Sequence, residues 1–506
     1  MLAICGWRRH DGLDVPCANR ESRPSMLRTV NGQPTLWEAV IPECLLPLPG
    51  DLARVDVWLE DPRFFEPFRG FFDPTLGRPS IPMETYLRLM YLRFRYRLGF
   101  EALCVEVADS LAWRRFCRVP LGERVPHPTT LMKITTRCGE QAVSQLNEVL
   151  LAKAHEENLV RLDRVRADTT VVEANVAYPT DSGLLAKGVA KMGVLVAALT
   201  ALGLATRTRF VDRTRAVRRR AHDIGCWLRR RNDDARSEVH ALNLELADIA
   251  TKTIAEARRV AVNARRGVRD CETKATGKAL RAITELERCA GLVEQIAAQT
   301  RLRVAGTTPD GSTRVVSLHD PDARPIAKGR LGRPVEFGYK AQVLDNEDGL
   351  VLDHGVVIGN PPDAPMLAPA IARLIGRFGR APRIVTADRG YGEAAVEADL
   401  RKLKVRQVAI PRKGKPGTAR QKIERAPWFR REVKWRTGSE ARINCLKRDN
   451  GWRRTLFDTE TGASTWCGWG VLAHNTTKLG RLQADRERQP APPPSPAGQQ
   501  PETRAA

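Results

Sequence analysis

The sequence predicts an α/β protein whose mixed sheet is interrupted by a large helical insertion and preceded by a helical domain. Three observations lead there. First, β-branched runs bounded by turn residues occur at 165–173 and again from 314 onward. Second, the stretch between them, about 184–305, reads as helix and carries almost no Gly or Pro over Arg229–Asn263. Third, after the insertion the strand and helix patterns alternate, and 506 residues are too many for one ordinary core.

Residues 1–60 read as an irregular lead that includes the Pro-rich IPECLLPLPG at 41–50, and the composition before Met26 points to that methionine as an alternative start. From 61 to 155 the pattern is helical. Leu87, Met90, Tyr91, Phe94 and Leu98 recur at helical spacing with arginines interleaved. A second helix is expected over about Phe100–Trp113, and Thr129 or Thr130 is expected to cap a short basic one. Such basic helices suit a helix-turn-helix-like DNA-binding module or, equally, a bundle with solvated charges.

VRADTTVVEANVAYP reads as a strand holding Asp168. Strands are expected again at 314–320, 337–346 and 349–359, the last two joined by a turn at Asn346–Gly349. A helix at Ala364–Phe378, a strand ending near Asp388, a helix at Glu393–Leu403, a strand at 405–411, a basic loop and a helix at Gly438–Asp449 complete the series. This order is that of an RNase H-like fold, built from 156–183 and 306–481 around the insertion 184–305. From Leu482 the Pro-rich tail has too little apolar surface to order itself.

The formal charge is +24, from 83 Lys and Arg against 59 Asp and Glu, which suits a polyanionic partner, nucleic acid first. The 11 cysteines include no C-x-x-C pair, which argues against a disulfide framework and a zinc ribbon. No uninterrupted run of about 18 apolar residues is present, so no membrane partner is expected and a cytoplasmic protein is.

Phosphodiester chemistry requires cations to neutralise the phosphoryl oxygens, and hard divalent ions are held by carboxylates, often as two ions about 4 Å apart. Asp168 lies among Val165, Val171 and Val172, where a carboxylate is costly unless paired or metal-bound. Asp388 ends a buried strand, where an α/β sheet places ligands, although for this Asp taken alone an Asx turn is the favoured reading. Arg436, Glu440 and Lys447 fall within about 40° of one helical face at roughly 100° per residue. The carboxylate can then hold metal while the cations hold phosphates, as against a plain surface ion pair.

RADTTVVEANVAYPTD (166–181), TADRGYG (386–392) and Arg436-x3-Glu440-x6-Lys447 resemble the three catalytic motifs of DDE transposases from bacterial insertion sequences. The subgroup is the one whose last motif is Tyr-x2-Arg-x3-Glu-x6-Lys, with Val433 here at the Tyr position. The resemblance implies a metal triad of Asp168, Asp388 and Glu440, served by Mg²⁺ or Mn²⁺, two ions in the family's own chemistry. It further implies phosphate contacts from Arg436 and Lys447, and an enzyme that binds terminal inverted repeats. Such an enzyme cuts the element ends by metal-activated hydrolysis and passes the 3′-hydroxyl to target DNA, as at least a dimer. Two other readings share these residues: a nuclease of the same fold that only cleaves, and a transposase-derived DNA-binding protein without catalysis.

Tyr391 is a candidate for a phosphate or base contact, or for packing on the next helix. Lys328, Lys340, Arg412, Lys413 and Lys415 are candidate phosphate contacts, or solvated charges. His319, Asp320 and Asp322 are better explained by the turn at Pro321 than by a metal, and Trp466 and Trp469 read as core.

Overall fold

The computed structural model describes residues 26–30, 42, 47–230, 232–268, 273–328 and 334–488. The suggested start at Met26 concerns 1–25, outside the described residues, as does the tail from 489. The lead is not irregular throughout: Gly50–Leu59 forms helix α1, because Leu52, Val55, Trp58 and Leu59 make one buried face. The tail expectation is also corrected, since the last helix continues to Arg488.

A 3₁₀ segment at Pro62–Phe71 leads to α2 (Met83–Tyr96), α3 (Phe100–Asp109), α4 (Leu111–Phe116) and α5 (Pro128–Glu156). Helix α5 is long rather than short, and its cap is His127, which accepts from the Thr129 amide, not Thr129 or Thr130. It kinks at Gly139 (φ 53°, ψ −150°), a conformation open to glycine. Buried Arg88 of α2 donates to Asp56 of α1 at 3.0 Å and faces Glu84 at 3.4 Å, which ties these helices together.

The sheet comprises β1 (Arg164–Glu173), β2 (Arg324–Ala327), β3 (Val335–Asn346), β4 (Val351–Ile358), β5 (Ile384–Ala387) and β6 (Gln407–Ala409). Its order is β2-β3-β1-β5-β6, with β4 also on β3. β1 runs antiparallel to β3, with Asp168 opposite Val343, and parallel to β5, with Ala167 opposite Ala387. The expected strand at 314–320 does not form. The side chain of Gln299 takes both backbone groups of Val315, at 3.1 Å each, in the place of a partner strand, and the edge strand lies instead at 324–327.

Helices α6 (Asp181–Ala201), α7 (Thr214–Trp227), α8 (Asp233–Gly267) and α9 (Thr273–Val304) intervene between β1 and β2 and enclose their own apolar core, with Leu246, Ile283 and Val293 fully buried. By length and mean hydropathy of 1.6, α6 is apolar enough to cross a membrane. The uninterrupted-run criterion missed it because Lys187 and Lys191 break the run. Here Leu185, Val189 and Met192 bury it in the insertion.

After β4 come α10 (Ala364–Phe378), α11 (Ala394–Lys402), α12 (Thr418–Arg425), α13 (Pro427–Arg436), α14 (Gly438–Asp449) and α15 (Glu460–Arg488). The basic loop thus contains two helices that its charge concealed. One continuous core joins α1–α5, the sheet and α15. Trp466 and Trp469 of α15 lie in it, with ring centroids 4.8 and 6.4 Å from Phe94. Asp320 accepts from the Thr459 amide and Asp322 from that of Glu460, so these acids cap α15.

Candidate active site

Parallel pairing of Ala167 with Ala387 brings Asp168 and Asp388 side by side at the centre of the sheet. Asp168 Oδ1 accepts from the Thr169 amide at 2.8 Å and Oδ2 from the Ser439 hydroxyl at 2.8 Å, while Arg436 lies 3.8 Å away. Asp388 follows β5 where the chain bends into a short 3₁₀ turn, Arg389–Tyr391, and its Oδ1 accepts from the Gly390 amide at 2.9 Å. The Asx-turn reading of Asp388 therefore holds, and the same carboxylate also faces Asp168.

Burial first, with a smaller contribution from the Asp388 charge, raises the Asp168 carboxyl; Ser439, Thr169 and Arg436 oppose the rise. Asp388 is likewise raised, by burial and then by Asp363. Asp363, which sequence reasoning missed, stands at the start of α10 and pairs with Lys340 at 2.6 Å. A Cβ on Gly390 would lie 3.0 Å from both Asp363 Oδ2 and Asp388 Oδ1, so glycine lets the two acids approach.

Glu440 sits in the first turn of α14, exposed, with no hydrogen-bond or ion-pair partner for its carboxylate among the described residues. Contrary to the expected single helical face, Arg436 and Glu440 stand on different helices: Arg436 ends α13, and a new helix begins at Gly438. Arg436 turns to Asp168 rather than to Glu440, and Ser439 anchors the start of α14 to the same aspartate. Lys447 lies in the last turn of α14 and lines a cavity with Arg93, Arg97 and Arg453.

Tyr391 is corrected as a DNA contact. It is fully buried, and its hydroxyl is met by Gln342 at 3.1 Å. Lys340 is also withdrawn, being buried against Asp363 and the Pro361 carbonyl. Arg412 and Lys413 each face a glutamate at 3.3 Å, Glu397 and Glu393.

A divalent cation fits the donor set in chemistry: hard carboxylate oxygens, two of the groups half-buried, with Arg436 as the guanidinium beside Asp168. Among the described residues, however, no group of three or more His, Cys, Asp or Glu side chains is placed to hold a metal as it stands. Because folding raises both aspartates, their contribution to the stability of the metal-free protein is present in acid and lost as pH rises through the folded values. Asp388→Asn, which keeps the Gly390 hydrogen bond, is therefore expected to raise the melting temperature at pH 7 and to remove any Mn²⁺-induced increase. Calorimetry reads both; a lower melting temperature in the metal-free variant would contradict this account of the pair.

Residues 42–137 match the family described as Transposase domain (DUF772), and residues 300–475 match the Transposase DDE domain. Segments on either side of the insertion are thus similar to transposase domains, the second to the DDE type. That match spans Asp388, Glu440 and Lys447, whereas Asp168 lies outside both. A relative from Rhizobium meliloti, Uncharacterized protein ORF8 in nfe locus, is 31% identical over 141 residues, 27% of this chain. The chain spans 66% of that relative's length. No solved structure matches the chain.

Proposed function

We propose that this protein is a DNA transposase of an insertion sequence, with an RNase H-like catalytic domain at 156–183 and 306–481. The observation that carries the reading is the pair Asp168 and Asp388, half-buried and brought together by the parallel strands β1 and β5, Asp168 within β1 and Asp388 directly after β5, with burial raising both carboxyls. The transposase matches on both sides of the insertion support it.

Asp168, Asp388 and Glu440 would hold divalent magnesium or manganese, two ions in the fullest form. Bound there, the cations supply charge neutralisation at the phosphate and a lowered pKa for the attacking hydroxyl or water. Ser439 and Arg436 fix Asp168 and the start of α14, which sets the direction of Glu440. Lys447 stands about 10 Å further along α14 by its rise per residue, where it meets a neighbouring phosphate, and Arg436 offers its remaining donors to the scissile one. One acidic site serves both water, for hydrolysis, and a DNA 3′-hydroxyl, for transfer to target DNA. The helices of 61–155 bind terminal repeats, the insertion 184–305 is a separate helical unit, and at least two copies join the two ends. The setting is the bacterial cytoplasm, on nucleoid DNA.

The test incubates the full chain with a labelled duplex bordering its own gene and a target plasmid in Mg²⁺. Joined product is expected. Cutting without joining would make it a nuclease of this fold, and binding with neither would make it a DNA-binding relic.

A further inference from the structure

Arg93 is 3% exposed, four residues before the left-handed cap Arg97 that ends α2. Its guanidinium lies 4.0 Å from the ring centroid of Phe100 and 4.9 Å from that of Trp466, with Phe94 and Phe457 at 5.1 and 5.4 Å. Ring faces attract the cation but take none of its in-plane N–H bonds. Nε and Nη1 have no hydrogen-bond partner among the described residues. Buried Arg88 and Arg166 differ, since each faces a carboxylate, Asp56 and Asp345 respectively.

Arg93 lines a cavity of about 460 Å³ that also receives Arg97, Lys447, Arg453 and Arg454. Glu173 is the one carboxylate on its wall, 3.3 Å from Arg454. Arg97 and Arg453 are exposed and have no ion-pair partner among the described residues. The site is therefore a cleft with a large excess of positive charge, floored by a buried guanidinium whose Nε and Nη1 donors are unmet among the described residues. A buried charged donor without a partner is unfavourable, and an anion relieves it.

We propose that this cleft grips a backbone phosphate of duplex DNA flanking the reacting bond, with Arg93 as its floor and Arg97 and Arg453 as its rim. The proposal rests on the transposase reading, which supplies the DNA. Geometry gives the offset. Glu173 is five residues beyond Asp168 on β1, about 16 Å at strand rise, and Lys447 is about 10 Å beyond Glu440 on α14. That is roughly three to five steps along one strand at about 3.4 Å each. The phosphate held there would come from the flank rather than from the scissile bond, so helix α2 contributes to setting where along the DNA the acids act. Burial also lowers the Arg93 pKa to about 10, consistent with a guanidinium lacking an anionic neighbour.

The test measures binding of a fluorescent duplex bordering the gene to the full chain across a salt series, for wild type and Arg97→Ala/Arg453→Ala. Losing two phosphate contacts is expected to lower the slope of log K against log salt by about 2 and affinity by roughly tenfold or more. Arg93→Lys should retain more affinity than Arg93→Met, and if the latter fails to fold, the rim variant alone decides. An unchanged slope in the rim variant, with wild type still binding and cutting, overturns the cleft and leaves the transposase reading standing. No salt-dependent binding by wild type overturns both. Inorganic phosphate at matched ionic strength that raises the melting temperature of wild type but not of the rim variant, without a change in DNA slope, marks a free-anion site and overturns the DNA assignment.

Discussion

Glu440→Gln is expected to leave folding untouched and to lower metal-dependent DNA cutting by on the order of 10⁴-fold or more, the scale seen when one member of a catalytic set is removed. The side chain is exposed, so no core contact is lost. Glutamine has the same shape but a far weaker oxygen donor for a hard cation. A melting temperature equal to wild type with cutting abolished would place Glu440 in the metal site. Full cutting by the variant would remove Glu440 from the triad and send the search for a third acid to Asp363, which approaches Asp388 around Gly390.

Asp345→Asn is expected to carry the largest stability effect, about 3–5 kcal/mol. Asp345 is 1% exposed and takes two hydrogen bonds from Arg166, at 2.8 and 2.7 Å, and a third from Arg442 at 3.3 Å. Arg166 precedes Asp168 by two residues on β1 and also donates to the Trp435 carbonyl at 3.0 Å. A Cβ on Gly438 would collide with its guanidinium, so glycine at the start of α14 admits it. The network thus seats the α13–α14 junction on the strand that bears Asp168. Losing the carboxylate leaves two guanidinium groups without their shared anion, and both stability and cutting should fall. Denaturant unfolding measures the first. A change under about 1 kcal/mol would show that solvent reaches the network and screens it.

The aspartates were legible because each breaks a local rule: Asp168 is an acid within a β-branched run, and Asp388 ends an apolar one. The partners that hold them were not. Asp363 is 195 positions from Asp168 in the sequence, and only the turn after β4 brings it to Gly390. Ser439 carried a weak signal in Thr437-Gly438, which marks a helix restart, yet spacing alone favoured one unbroken helix from Arg436 to Lys447. The run Val315–Leu318 read as a strand because its residues are apolar and β-branched. They are indeed buried, but packed beneath the insertion with Gln299 in place of a strand partner. Arg93 looked like one more interleaved arginine on a helix; its burial depends on Phe457 and Trp466, more than 360 residues further along the sequence.

The central claim is that Asp168 and Asp388 form a metal-dependent DNA-cutting site. The most direct measurement is cleavage of an end-labelled duplex bordering the gene, with wild type and Asp388→Asn side by side in Mg²⁺, Mn²⁺ or EDTA. The account predicts defined cutting by wild type in either metal, none in EDTA, and none by Asp388→Asn although it binds the duplex as tightly. Cutting by Asp388→Asn at the wild-type rate, or cutting that persists in EDTA, would contradict it.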